Sequence, residues 1–167
     1  MEELQMKKIY HSTSRVVFMC GTAGSGKSTY AKSLERQGFN RLSFDVESFK
    51  RGVRVHPLSK DIYDEIKIFL DHELRSLIAQ NKDVVLDYSF WSRQMRDEYK
   101  NMLVPFGIKP EIVLICTPKE IVLQRIRDRR GKHPNDIILD ERTAVQYFEH
   151  FQPPTSREGD ITVIKGY

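Results

Sequence analysis

The sequence predicts an α/β domain in which a five-stranded parallel sheet carries helices on both faces. Three observations predict it. Short β-like apolar runs alternate with longer amphipathic stretches along the whole chain, the pattern of successive strand–helix–strand units. The run Val16-Val17-Phe18-Met19-Cys20 feeds directly into Gly21-Thr22-Ala23-Gly24-Ser25-Gly26-Lys27-Ser28, which has the spacing G-x-x-x-x-G-K-[ST] of a phosphate-binding loop between a buried strand and a helix. Aspartates follow two later apolar runs, at Asp45 and Asp87, where an open parallel sheet collects its ligand-binding residues.

The strands are expected at about 15–20, 41–44, 83–87, 111–116 and 161–165. A first helix begins near Lys27, turns Tyr30, Ala31 and Leu34 inward, and stops at Gly38, a suitable left-handed cap. A second is signalled by Leu58, Ile62, Ile66, Phe69, Leu70, Leu74, Leu77 and Ile78, which recur at 3.6 residues per turn. A third starts at Ser92 and buries Met95, Tyr99 and Met102. The fourth is punctuated by Thr117-Pro118-Lys119-Glu120, with threonine at the N-cap, proline at the first helical position and the glutamate of a capping box. The fifth shows Ala144, Tyr147, Phe148 and Phe151 at helical spacing and ends at Pro153-Pro154. Between the last two helices, Gly131 to Asp136 reads as a flexible turn.

A chain of 167 residues, 40% hydrophobic, is most simply one domain spanning 1–167, with 1–14 as an N-terminal extension. No run of eighteen apolar residues is present and the first residues are too charged for a signal peptide, so a cytoplasmic protein is expected. Cys20 and Cys116 close apolar runs and read as small hydrophobes of the sheet interior, not as a disulfide or a metal pair. Net charge is +4, modest for a protein that embraces a polyanionic nucleotide and no proof of nucleic-acid binding. The charge is uneven: Arg125, Arg127, Arg129, Arg130 and Lys132 lie close together, either as a solvated helix end or as a mobile cluster meeting phosphates.

The loop spacing has a physical reason. Its glycines let successive backbone N–H groups turn inward as an anion-binding nest, and the following helix adds its positive end. Lys27 then reaches the β and γ phosphates, Ser28 ligates Mg²⁺ beside them, and Thr29 is a candidate α-phosphate contact. A phosphotransferase also needs an acceptor for the proton of the attacking hydroxyl and a carboxylate to hold the metal through its water shell. Asp45 takes the first role and Asp87 the second, with Glu47 as a substitute; the bland alternative for each aspartate is a loop or N-cap residue. Arg125 and Arg129, four apart, share a helix face and would clamp the transferring phosphoryl group. Arg93 and Arg96 are candidates for holding the acceptor or orienting Asp87, and His56 and His133 receive no role. Asn81-Lys82-Asp83-Val84 resembles a guanine-reading N-K-x-D signature, but valine stands where the decisive aspartate belongs and the segment precedes a strand.

With the loop at 21–28, Asp45, and the stretch Val85-Leu86-Asp87-Tyr88-Ser89-Phe90-Trp91-Ser92-Arg93-Gln94-Met95-Arg96, the chain resembles the small predicted kinases of the P-loop superfamily. These are grouped with zeta toxins, chloramphenicol phosphotransferase and the kinase domain of polynucleotide kinase. Tyr147-Phe148-Glu149-His150-Phe151-Gln152-Pro153-Pro154-Thr155 is similar to their C-terminal pattern. The resemblance implies a nucleoside-kinase-like sheet of order 2-3-1-4-5 and transfer of the γ-phosphoryl group of ATP to a hydroxyl. It implies the base role for Asp45, a short lid at about 125–136 whose arginines match Arg125 and Arg129, and a nucleobase stacked near the lid and the loop after the last strand. Little sequence follows that strand, which leaves adenine selectivity open.

The leading expectation is therefore an ATP- and Mg²⁺-dependent kinase acting on a small molecule, a nucleotide or a nucleic-acid end. The alternative is an ATP-binding regulatory or toxin–antitoxin module without transfer, which would need the loop but neither a base nor a charge clamp. Residues 46–60, with Phe49, Lys50, Arg51 and Arg54, are expected to border the acceptor pocket, and Arg54 is assigned a substrate contact.

Overall fold

A computed structural model describes residues 11–54, 57–129 and 140–166. Five parallel strands, β1 Val16–Cys20, β2 Asn40–Leu42, β3 Val84–Leu86, β4 Glu111–Cys116 and β5 Ile161–Lys165, form one sheet in the order β2-β3-β1-β4-β5. This is the expected order, and it puts β1 in the middle with β3 and β4 on either side: Phe18 pairs with Leu86, and Cys20 with Leu114. β1 is uniformly buried because helices cover both faces, which is why it reads as an unbroken apolar run.

Alternate residues of each strand enter two cores. Val17, Met19, Val85, Val113 and Ile115 pack with Ala31 and Leu34 of α1, Lys27–Arg36. On the other face Val16, Phe18, Leu86 and Leu114 pack with Ile66, Leu70, Leu74 and Ile78 of α3, Lys60–Ala79, and with Tyr99 and Leu103 of α4, Arg93–Leu103. α1 ends as expected: the Gly38 N–H donates to Glu35 O at 3.1 Å and the Phe39 N–H to Leu34 O at 3.1 Å, closing the last turn. Asn81 closes α3 in the same way, with φ 56 and Lys82 N–H to Leu77 O at 3.0 Å. The Asn-Lys-Asp-Val segment is thus a helix stop.

Four expectations need correction. The second strand does not run over 41–44: it ends at Leu42, Ser43 caps a helix through its Oγ, 3.3 Å from Val46 N, and Phe44–Lys50 is helix α2. The third helix buries Arg96, Tyr99 and Leu103, while Met95 and Met102 are only partly covered. Thr117, expected as the cap of α5, Lys119–Arg129, uses its hydroxyl to donate to Ser25 O at 2.7 Å. Cys20 is buried, but Cys116 is exposed at the end of β4. α6, Glu141–His150, carries Ala144, Tyr147 and Phe148 as expected but stops one residue before Phe151, and it is capped by Asp140, which accepts from Thr143 N at 2.8 Å.

Of the N-terminal extension, Ser12 is tied down by its N–H to Phe106 O at 3.0 Å and its hydroxyl to Ile78 O at 2.8 Å. In the expected lid, residues 125–129 continue α5; Arg130, Lys132, His133 and the turn Gly131 to Asp136 lie outside the described residues, as does His56. No described helix is long and apolar enough to cross a membrane.

Candidate active site

β1 delivers the chain to Gly21 at the carboxyl edge of the sheet, and the loop 21–26 turns into α1 at Lys27. Gly24 has φ 77, a left-handed conformation, and the space a side chain would need is taken: a Cβ would meet Val122 O at 3.1 Å and Ile126 Cγ1 at 3.2 Å. α5 can therefore lie directly against the loop. That approach brings Arg125 over it, Nη1 donating to Gly24 O at 3.3 Å and Ser25 O at 3.4 Å. With Thr117 also bonded to Ser25 O, the outward carbonyls of the loop are held from the β4 and α5 side; the Ser25 N–H closes a turn onto Thr22 O at 3.1 Å, and the N–H groups of Ala23, Gly24 and Gly26 are left to face an anion.

Beneath the loop lies Asp87, 4% exposed and one residue beyond β3. Ser28 Oγ donates to its Oδ2 at 2.9 Å, and Arg41 donates to the same oxygen twice, from Nε at 3.0 Å and Nη2 at 2.8 Å. Lys27, 6% exposed, holds Nζ 4.0 Å from Oδ1. Oδ1 itself is buried and accepts no hydrogen bond. A buried carboxylate oxygen without a donor is costly. Together with the adjacent Ser28 hydroxyl it makes an oxygen pair of the kind a hard divalent cation takes, either directly or through its waters, so the residues present fit Mg²⁺.

Asp45 occupies the first turn of α2, three residues past Leu42, the strand residue that pairs with Leu86 just before Asp87. The topology thus brings Lys27, Ser28, Asp45 and Asp87 to one sheet edge. Thr29 is exposed on the first turn of α1. The chain after Asp87 is held in an unusual conformation: Ser89 and Phe90 have φ 68 and 48, the Phe90 N–H donates to Tyr88 O at 2.8 Å, and Ser89 O accepts the Gly21 N–H at 3.1 Å.

The other expected arginines are placed differently. Arg96 is turned into the core: at 2% exposure its Nε donates to Glu158 Oε1 at 2.7 Å and its Nη1 to Phe90 O at 2.7 Å. The reason is periodicity, since 96, 99 and 103 share the inward face of α4. Burial pushes the Glu158 carboxyl up, but hydrogen bonds from Arg96 and the Thr155 N–H outweigh it and hold it below its ordinary range. Arg93 is exposed and paired with Asp97 at 2.9 Å. Arg54 stacks on Phe49, 3.8 Å from the ring centroid, and donates to Phe49 O at 3.0 Å. Arg129 ends α5.

Three participants were missed by the sequence reading. Arg41 lies beside Asn40 in a three-residue strand, with no signal of its own. Thr117 has the pattern of a cap. Gly166 is isolated in sequence, yet its N–H donates to Cys116 O at 2.7 Å and a Cβ on it would lie 2.1 Å from Thr117 Oγ1. Beside the loop a cavity of about 500 Å³ is walled by Thr22, Cys116, Phe148, Phe151, Pro153 and Lys165, among others.

Comparison with known proteins is consistent with this geometry. No curated protein sequence matches the chain. Among solved structures, a candidate kinase of Chloroflexus aurantiacus J-10-fl has a TM-score of 0.69 at 16% identity, over 92% of this chain and 89% of that one. A gluconokinase of Sinorhizobium meliloti 1021 has 0.60 at 16% identity, over 93% and 85%. A chain of the Pnkp1/Rnl/Hen1 RNA repair complex has 0.60 at 19% identity, over 87% of this chain and 49% of that one. At such identities the likeness is one of fold, a P-loop kinase-like α/β domain. Residues 16–154 match the model of the AAA_33 family, described as an AAA domain, and the chain belongs to that family.

Proposed function

We propose that this protein transfers the γ-phosphoryl group of ATP to a hydroxyl of a small molecule, a nucleotide or a nucleic-acid end. The observation that carries the reading is Asp87, buried between Lys27, Ser28 and Arg41 with Oδ1 lacking a hydrogen-bond donor. Binding a nucleotide requires only the loop. A desolvated carboxylate with an unused oxygen beside the phosphate site is explained if that oxygen faces a metal during transfer.

Ser28 and Asp87 are the residues that would hold Mg²⁺, directly or through its waters, and a cation there would supply charge neutralisation to the phosphate oxygens. Lys27 adds a fixed ammonium on the same oxygens, and the loop N–H groups hold the chain of phosphates in line. Asp45 accepts the proton of the acceptor hydroxyl as its oxygen bonds to the γ-phosphorus and the bond to the β-phosphate oxygen breaks, releasing ADP. Arg125, seated on the loop, and Arg129 one turn later on α5 compensate charge on the moving phosphoryl group. Arg54 and Arg93, both exposed, serve the acceptor side. The apolar cavity beside Thr22 suits the nucleobase, with Phe148 and Phe151 as its aromatic walls.

The test is transfer of γ-labelled phosphate to a panel of sugar acids, nucleosides and 5′-hydroxyl RNA and DNA. Labelling of one class is expected, falling about 10²–10⁴-fold in Asp45→Asn with ATP affinity unchanged. Tight ATP binding with no acceptor labelled across the panel would instead favour the non-transferring module.

A further inference from the structure

We infer that Arg41 is a positioning residue for the cation, an inference that rests on the reading of Asp87 as the metal-side carboxylate. Arg41 comes from β2, an edge strand two places from β1 and its phosphate loop, and nothing in the loop motif calls for it. Its guanidinium is nonetheless almost enclosed, with 8% side-chain exposure, and spends both Nε and Nη2 on one oxygen, Asp87 Oδ2. Two donors from one planar group on one oxygen fix the carboxylate's rotation about its Cβ–Cγ bond in a way that a single bond cannot. The same oxygen also takes the Ser28 hydroxyl, while Oδ1 is left without a donor.

The three donor atoms therefore sort the two oxygens: Oδ2 is held by protein and Oδ1 is kept open. Arg41 thereby determines which oxygen faces the metal and how steadily. Lys27 does not duplicate this, because its Nζ stands 4.0 Å from Oδ1, outside hydrogen-bond distance. The backbone supports the arrangement from the same strand, the Asp87 N–H donating to Leu42 O at 2.9 Å, so β2 holds both ends of the aspartate. A lysine at position 41 would supply the charge but only a point contact, and a glutamine neither the charge nor the fork.

The experiment measures ADP affinity by calorimetry across a Mg²⁺ titration and in EDTA, for the wild type, Arg41→Lys and Arg41→Gln, with the melting temperature of each nucleotide-free protein recorded. Both variants are expected to need more Mg²⁺ to reach half of the metal-dependent gain, about tenfold more for Arg41→Gln and less for Arg41→Lys, with affinity in EDTA unchanged. A merely structural arginine would lower melting temperature and affinity in EDTA together and leave the Mg²⁺ midpoint where it was. That result, or a midpoint that falls, overturns the inference while the reading of Asp87 stands. A wild type whose ADP affinity ignores Mg²⁺ overturns both.

Discussion

Gly166 meets the phosphate loop with no room for a side chain. A Cβ there would lie 2.1 Å from Thr117 Oγ1 and 2.8 Å from Ser25 O, and Thr117 is the residue that ties β4 to the loop. Gly166→Ala must therefore push the loop or break the Thr117 bond. ATP affinity is expected to drop about tenfold, ~1.4 kcal/mol, with the circular dichroism spectrum unchanged; calorimetric titration with ATP checks it. Residues such as this mark the limit of the sequence at its finest scale. Lys27 and Ser28 were legible because eight consecutive positions carry the loop pattern. Gly166, Thr117 and Arg41 were not, because each matters only through a neighbour brought from a distant strand.

At the scale of elements, the junction of α4 with the segment after α6 depends on one buried pair. Arg96 and Glu158 have side-chain exposures of 2% and 3%, their contact is 2.7 Å, and Trp91 O accepts the Gln152 N–H at 2.7 Å alongside. Glu158 titrates below the ordinary glutamate value of 4.5, so its contribution is complete above that pH and is lost as the pH falls through the lower folded value. Glu158→Gln is expected to cost about 2–3 kcal/mol at neutral pH, since a charge-assisted hydrogen bond to a buried guanidinium is weakened. It should also flatten part of the loss of stability below pH 4.5. Urea unfolding of both proteins from pH 3 to 7 checks this, and equal slopes in the two would sink the assignment. Element identity was largely legible, with β4, β5, α3 and α6 close to their expected spans. α2 was not: seven residues are too short to show a helical period, and Phe44 beside Leu42 reads as more strand until the Ser43 cap is seen.

For the whole molecule, the two cysteines, which end neighbouring strands of the sheet, report on buried and exposed surroundings. Cys20 is fully enclosed and burial pushes its thiol up to about 12, so it is inert to thiol reagents. Cys116, exposed, lines the cavity beside Thr22 and Phe151. A thiol-directed reagent is expected to label the native protein once, at Cys116, and ATP should slow that labelling several-fold; peptide mass mapping with and without ATP decides it. Unprotected labelling would move the nucleobase out of this cavity. The sequence by itself determined the phosphate loop, the strand–helix alternation and the order in which the elements occur, because these follow from local spacing and periodicity. Only the tertiary structure decided that Arg96 is a core residue, that Asp87 is gripped by Arg41, and that one carboxylate oxygen is left open. Those outcomes depend on which side chains the crossovers of a parallel sheet bring together, and residues 46 or 62 positions apart carry no mark of each other in the chain.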